Sequence, residues 1–151
     1  MEAARDDPTT LQWFKLLLVN DKDLPGSVAS CDYLERARAA LKVAKKTAQE
    51  VVRDYLALLW EHIVDSITKA QRKSIVDQFR FRVVLTVPAT WADEPRIVGI
   101  LEQAATQAGI KAHRDCGQTT LNFAAEPEAA AFSEMKDSEH QNSFQVYRMY
   151  F

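Results

Sequence analysis

The chain has little of what staples or punctuates a small fold. Its 151 residues include two cysteines, Cys31 and Cys116, four glycines and five prolines. Two thiols so far apart in sequence make neither a disulfide framework nor a zinc site. No uncharged apolar run approaches the ~18 residues of a membrane helix. The opening Met1-Glu2-Ala3-Ala4-Arg5-Asp6-Asp7 is polar and acidic, unlike a secretory leader. Neither sign of charge dominates: 19 Lys and Arg face 21 Asp and Glu, a formal net charge of −2. Composition therefore supplies no general affinity for nucleic acid or anionic lipid. The expectation is a soluble, reducing, cytoplasmic setting, with neither nucleic acid nor membrane as partner. Chemical signatures are scarce too. His62, His113 and His140 share no ligand spacing with each other or with the cysteines, and there is no H-E-x-x-H, C-x-x-C or G-x-S-x-G.

What remains is an ordinary globular mixture, 47% hydrophobic and 26% charged, sized for one domain or a fragment of a larger one. Residues 1–12 read as a flexible lead-in. Trp13-Phe14-Lys15-Leu16-Leu17-Leu18-Val19 is a short apolar run that reads as a buried strand, although its length also suits a helical turn. Asp21 to Ser30 carries Asp, Pro, Gly and Ser and reads as a loop. Between Asp32 and Ala70 there is neither Pro nor Gly, and strong helix formers dominate. Val52, Tyr55, Leu56, Leu59, Ile63 and Ile67 recur at three- and four-residue steps, an apolar stripe on a helix. Arg36 to Lys46 has a thinner stripe and five basic residues, and a break is expected near Lys46-Thr47.

Phe81 to Val87 reads as a strand, β-branched and closed by Pro88. Its near-continuous apolar character predicts cover on both faces, as in a parallel sheet. A helix should follow, with Asp93, Glu94 and Pro95 in its first turn and Gly109 at its C-terminal stop. Lys111 to Thr120 is a polar loop, and Leu121-Asn122-Phe123-Ala124-Ala125 is a weak strand. Glu126-Pro127-Glu128 opens an alanine-rich helix. The tail, 133–151, is unassigned, with a strand as one reading of its aromatic end. The order is α/β: helices at 31–70, then a βαβα unit at 81–132, the grammar of a parallel sheet.

Two segments at matched positions of that unit carry a family resemblance. Val84-Leu85-Thr86-Val87-Pro88-Ala89-Thr90-Trp91-Ala92-Asp93-Glu94-Pro95-Arg96 resembles the Val-Pro-Ala strand and following helix of the 70-kDa heat-shock chaperones. Ala125-Glu126-Pro127-Glu128-Ala129-Ala130-Ala131 resembles their Asn-Glu-Pro-Thr-Ala-Ala segment, and Ala108-Gly109-Ile110 their Ala-Gly-Leu helix end. The Trp-Ala-Asp and Glu-Pro-Glu-Ala-Ala forms, with Trp13-Phe14-Lys15 and Val52-Arg53-Asp54-Tyr55-Leu56, are closer to the divergent chaperone-like branch. The resemblance spans 13–132 and is strongest over 83–131. It implies an incomplete actin-like ATPase (ribonuclease H-like) lobe, with 31–70 as its helical subdomain.

In that family ATP and magnesium sit between two lobes, held by Asp-x-Gly-Thr hairpins whose glycines let backbone N–H groups approach phosphate. Gly26, Gly99, Gly109 and Gly117 stand in no such hairpin. The first phosphate loop would precede residue 1, and the second would follow residue 132. The expectation is a partial lobe without independent ATP binding or hydrolysis, and so without a cofactor of its own. A non-catalytic interaction module and a segment of a longer active ATPase are the alternatives.

Residue by residue, the resemblance implies Glu126 as a catalytic carboxylate facing metal and phosphate. It implies Pro88 and Arg96 as residues coupling nucleotide state to a partner domain. The family's asparagine and threonine of the Glu-Pro segment are Ala125 and Glu128 here. Read without the family, Glu126 is a helix N-terminal acid, Pro88 a strand terminator and Arg96 a solvated helix residue. Arg36, Arg38, Lys42, Lys45 and Lys46 read as a solvated basic helix face that could touch a phosphate-bearing partner. Trp60 and Trp91 read as core residues. As partners the resemblance implies protein clients or co-chaperones, and two strands without neighbours imply self-association through an exposed sheet edge.

Overall fold

The computed structural model describes residues 11–139 and 149–150. The protein is mixed α/β and mostly helical. After 3-10 turns at Phe14–Leu18 and Asp21–Asp23 come α1 (Gly26–Ala29), α2 (Asp32–Ala44), α3 (Ala48–Ala70) and α4 (Lys73–Val76). Then follow β1 (Arg82–Val87), α5 (Ala89–Ala92), α6 (Pro95–Gln107), β2 (Thr120–Ala125), α7 (Glu126–Glu139) and β3 (Met149–Tyr150).

The break expected near Lys46-Thr47 is a built corner. Lys45 takes a left-handed conformation, φ 52°. The amides of Lys46 and Lys45 then donate to the carbonyls of Leu41 and Lys42, closing the last turn of α2. Helix α3 opens on a capping box: the Glu50 amide donates to Thr47 Oγ1 (3.2 Å), and the Thr47 amide donates to Glu50 Oε2 (2.8 Å). Helix α6 carries Pro95 in its first turn. It ends as the sequence predicts: Gly109 has φ 85°, and the amides of Gly109 and Ile110 donate to the carbonyls of Thr106 and Ala105.

The sheet is a parallel pair of six-residue strands, in register from Arg82↔Thr120 to Val87↔Ala125, joined through α5 and α6. On its other side β1 pairs in parallel with β3 at Leu85↔Met149 and Thr86↔Tyr150, giving the order β2-β1-β3. Val83, Leu85 and Val87 point into a core shared with Val52 and Leu56 of α3 and Ile97, Leu101, Ala104 and Ala105 of α6. Each fully buried Leu or Ile contributes about 1.5–3 kcal/mol. Trp91 lies in this core, and Trp60 meets Phe81 edge-on with ring centroids 5.4 Å apart.

Several expectations change. Trp13 to Val19 is not a strand. Its residues coil into a 3-10 turn, with Trp13 at φ 59°, and satisfy their backbone locally through Leu16 N–H to Trp13 O and Val19 N–H to Leu16 O. No described strand pairs with this run, and Leu18 reaches the core from the turn. The α3 stripe is buried only at its N-terminal end. Val52 and Leu56 are inaccessible, but Tyr55 is exposed and Leu59, Ile63 and Ile67 are half-buried, because α6 covers only part of a 23-residue helix. Cover of β1 on both faces fails at Val84, which is 41% exposed. Finally, β1 is not a free edge at its centre, since β3 pairs there. Helix α7 also runs past Ser133 into the segment read as tail. The rest of the unassigned stretch, apart from β3, lies outside the described residues.

Candidate functional site

The two resemblance motifs meet at the carboxyl end of the sheet. Pro88 cannot continue the ladder, since its ring removes the donor. It breaks the chain into α5, accepting from the Trp91 amide at 2.8 Å. Across the ladder, Ala125 is the last residue of β2, and α7 begins at once with Glu126. Because Val87 pairs with Ala125, Pro88 and Glu126 occupy equivalent positions one residue beyond the same rung. Clefts at strand carboxyl ends are where open parallel sheets bind ligands.

The half-buried Glu126 and the exposed Glu128 sit in the first turn of α7, where the positive helix end favours carboxylates by about 0.3–1 kcal/mol. Glu126 forms no ion pair with another described residue. A general base needs an orienting neighbour or a positioned water as well as a carboxylate, and among the described residues no ion-pair partner orients Glu126.

Arg96 is not brought to this pair in any bonded sense. From the first turn of α6 its guanidinium donates to the Leu18 carbonyl at 2.8 Å. It thereby ties the N-terminal 3-10 turn to the helix that crosses over between the strands. This structural tie, carried by a side chain read from sequence as a coupler or a solvated residue, had no signal in the sequence.

The loop before β2 is also locked. The Arg80 Nε donates to the Cys116 carbonyl (2.7 Å), and the Cys116 thiol donates to Phe79 O (2.6 Å). The Arg114 guanidinium donates to Val76 O at 2.9 Å and stacks 4.5 Å from the Phe81 ring centroid. A side chain at Gly117, φ 115°, would meet Arg80 Nε at 3.0 Å. These contacts, with Thr120 N–H donating to Phe81 O, set the register that aligns Pro88 with Glu126.

The four glycines stand in helices and turns. Gly26 opens α1, Gly99 lies within α6, Gly109 ends α6 and Gly117 lies under Arg80. No glycine adjoins Pro88 or Glu126 in the sequence, and no catalytic step is assigned to Glu126. Among the described residues no three His, Cys, Asp or Glu side chains cluster as a metal site. No described helix is long and apolar enough to cross a membrane.

The electrostatically perturbed carboxylates lie elsewhere, on α3. Glu50 is held below its usual range by the Thr47 amide and hydroxyl. Asp54 is lowered by its bonds to Lys46 (2.6 Å) and Arg53 (2.7 Å). Both serve the α2–α3 corner. No family model, no curated protein and no solved structure matches the chain.

Proposed function

We propose that residues 13–132 form part of an actin-like ATPase lobe of the 70-kDa heat-shock type, one that does not bind or hydrolyse ATP on its own. The observation that carries this reading is the shared end position of the Val-Pro-Ala and Glu-Pro motifs. Pro88 and Glu126 follow the same rung of a parallel pair, as a strand-crossover-strand scaffold facing a nucleotide requires. The inactivity rests on glycine: all four stand in turns or helices and none in an Asp-x-Gly-Thr hairpin, which supports a lobe without the family's phosphate loops. In a longer polypeptide those cradles would come from other segments, and the same residues would be one wall of a working site.

Calorimetric titration of the purified chain with Mg·ATP tests the proposal. No micromolar binding that depends on Glu126 is expected, so Glu126→Ala should leave the titration unchanged. Micromolar or tighter binding that Glu126→Ala abolishes would overturn it.

A second reading, a non-catalytic interaction module, is favoured by exposed apolar side chains on the sheet unit. Val84 of β1 and Phe132 of α7 are 41% and 68% exposed. Under this reading the partners are proteins, such as chaperone clients or co-chaperones. It predicts a stable monodisperse chain, whereas a bare lobe fragment should aggregate.

A further inference from the structure

The five basic residues of the α2 segment do not form one solvated face. The corner between α2 and α3 sorts them. Arg38, Lys42, Lys45 and Lys46 line a depression of about 560 Å³, open to solvent, whose floor is Leu17, Leu41 and Ala48. Arg36 is outside it. Positions 38, 42 and 45 fall one turn apart on one side of α2. The left-handed turn at Lys45 then carries the chain back over the same hollow to Lys46 and the first residue of α3.

Charge in this hollow is uneven. Arg38 is paired with Asp21 at 2.6 Å and also donates to Ala29 O at 3.3 Å. Lys46 is paired with Asp54 at 2.6 Å. Lys42 and Lys45 have no carboxylate partner among the described residues. Four cations and one lining carboxylate, Asp21, thus face one cavity of a chain whose overall formal charge is negative. Like charges one turn apart on a helix repel each other, and a multivalent anion would relieve that repulsion. The Glu50 carboxylate is not available for this, because it is bound by the Thr47 amide and hydroxyl.

The geometry points to a binding site for a small molecule carrying two or more linked phosphates. From position 38 to position 45 the cations span about 10 Å along α2, at 1.5 Å rise per residue. That exceeds one phosphate and suits a short phosphate chain. Leu17, Leu41 and Ala48 offer an apolar floor for an organic group. Arg38 is held in place by Asp21 and Ala29 O and adds a fixed positive charge, and Lys42 and Lys45 supply mobile point charges. The site is separate from Pro88 and Glu126 and does not depend on the ATPase-lobe reading.

The test is NMR titration of the full 151-residue chain with inorganic tripolyphosphate, without magnesium, at low ionic strength, beside orthophosphate. The expected result is saturable binding, with shifts confined to residues around 17–21 and 38–48 and tripolyphosphate tighter than orthophosphate. Lys42→Gln with Lys45→Gly should weaken it ~10-fold or more, the loss of charge-assisted bonds. Both positions are exposed, and glycine suits the left-handed turn, so the variant keeps the fold. Glu126→Ala should leave this binding intact, which separates it from any nucleotide-facing site. Absence of saturable binding, an unchanged variant, or equal affinity for orthophosphate would overturn the inference. So would tighter binding of single-stranded oligonucleotides that rises with their length, which would mark a nucleic-acid surface instead.

Discussion

At Lys45 the backbone adopts φ 52° and ψ 40° with a side chain attached, a conformation that costs a non-glycine residue about 1–2 kcal/mol. Lys45→Gly should therefore stabilise the chain by about 0.5–1 kcal/mol, net of the entropy glycine adds to the unfolded state, as read from urea unfolding midpoints. Thr119 presents the opposite kind of cost. It is 2% exposed, and its hydroxyl has no hydrogen-bond partner among the described residues. Thr119→Val keeps the shape and removes the orphan, so unfolding free energy should hold or rise rather than fall. At Glu50 the folded-state carboxyl is depressed by the Thr47 amide, then by its hydroxyl. A depressed carboxyl contributes stability that is present above its unfolded pKa and lost as pH falls through the folded value. Acid titration of stability should accordingly show a loss that begins in the ordinary glutamate range and is complete only below the depressed folded value. Glu50→Gln should flatten that part of the curve, measured by urea unfolding across pH 2–7.

Elements were legible where one local rule acted alone. Strand β1, the Pro95 start and Gly109 stop of α6, and the start of α7 at Glu126 follow from β-branching, proline and glycine chemistry. The corner at Lys46-Thr47 was visible as a break, but its left-handed lysine and capping box rest on bonds between residues three or more apart. The Trp13–Val19 run misled because leucines suit a turn as well as a strand, and only the absence of a flanking strand decides. The α3 stripe overstated burial because periodicity fixes a face but not how far a neighbour covers it. Of the candidate site, the alignment of Pro88 with Glu126 required the register, and the bond from Arg96 to Leu18 spans most of the chain. These placements set the energetics. Leu56, inaccessible between α3 and the sheet, should cost about 2–5 kcal/mol as Leu56→Ala. Leu58, two residues on and 69% exposed, should cost within about 0.5 kcal/mol when changed to Ala. A paired thermal or urea unfolding series checks the contrast.

For the molecule as a whole the outer side of β2 is the point of exposure. It ends the order β2-β1-β3 with no described strand beside it, and unpaired strand edges recruit other chains. Concentration-dependent association is expected in sedimentation velocity, reduced by Asn122→Lys on the exposed side of β2. A chain that stays monomeric at high concentration would remove this route to self-association.

The position of β1 between two later partners has a consequence during synthesis. A ribosome delivers α2 and α3 before β1, and each can begin to pack on the Phe14–Leu18 turn that precedes them. Strand β1 then emerges with neither ladder available: β2 waits on the whole of α6, and β3 on Met149–Tyr150. Its apolar run is left bare throughout that interval. Holdase chaperones captured with stalled nascent chains should therefore engage lengths ending between β1 and β2, and release once β2 has cleared the exit tunnel.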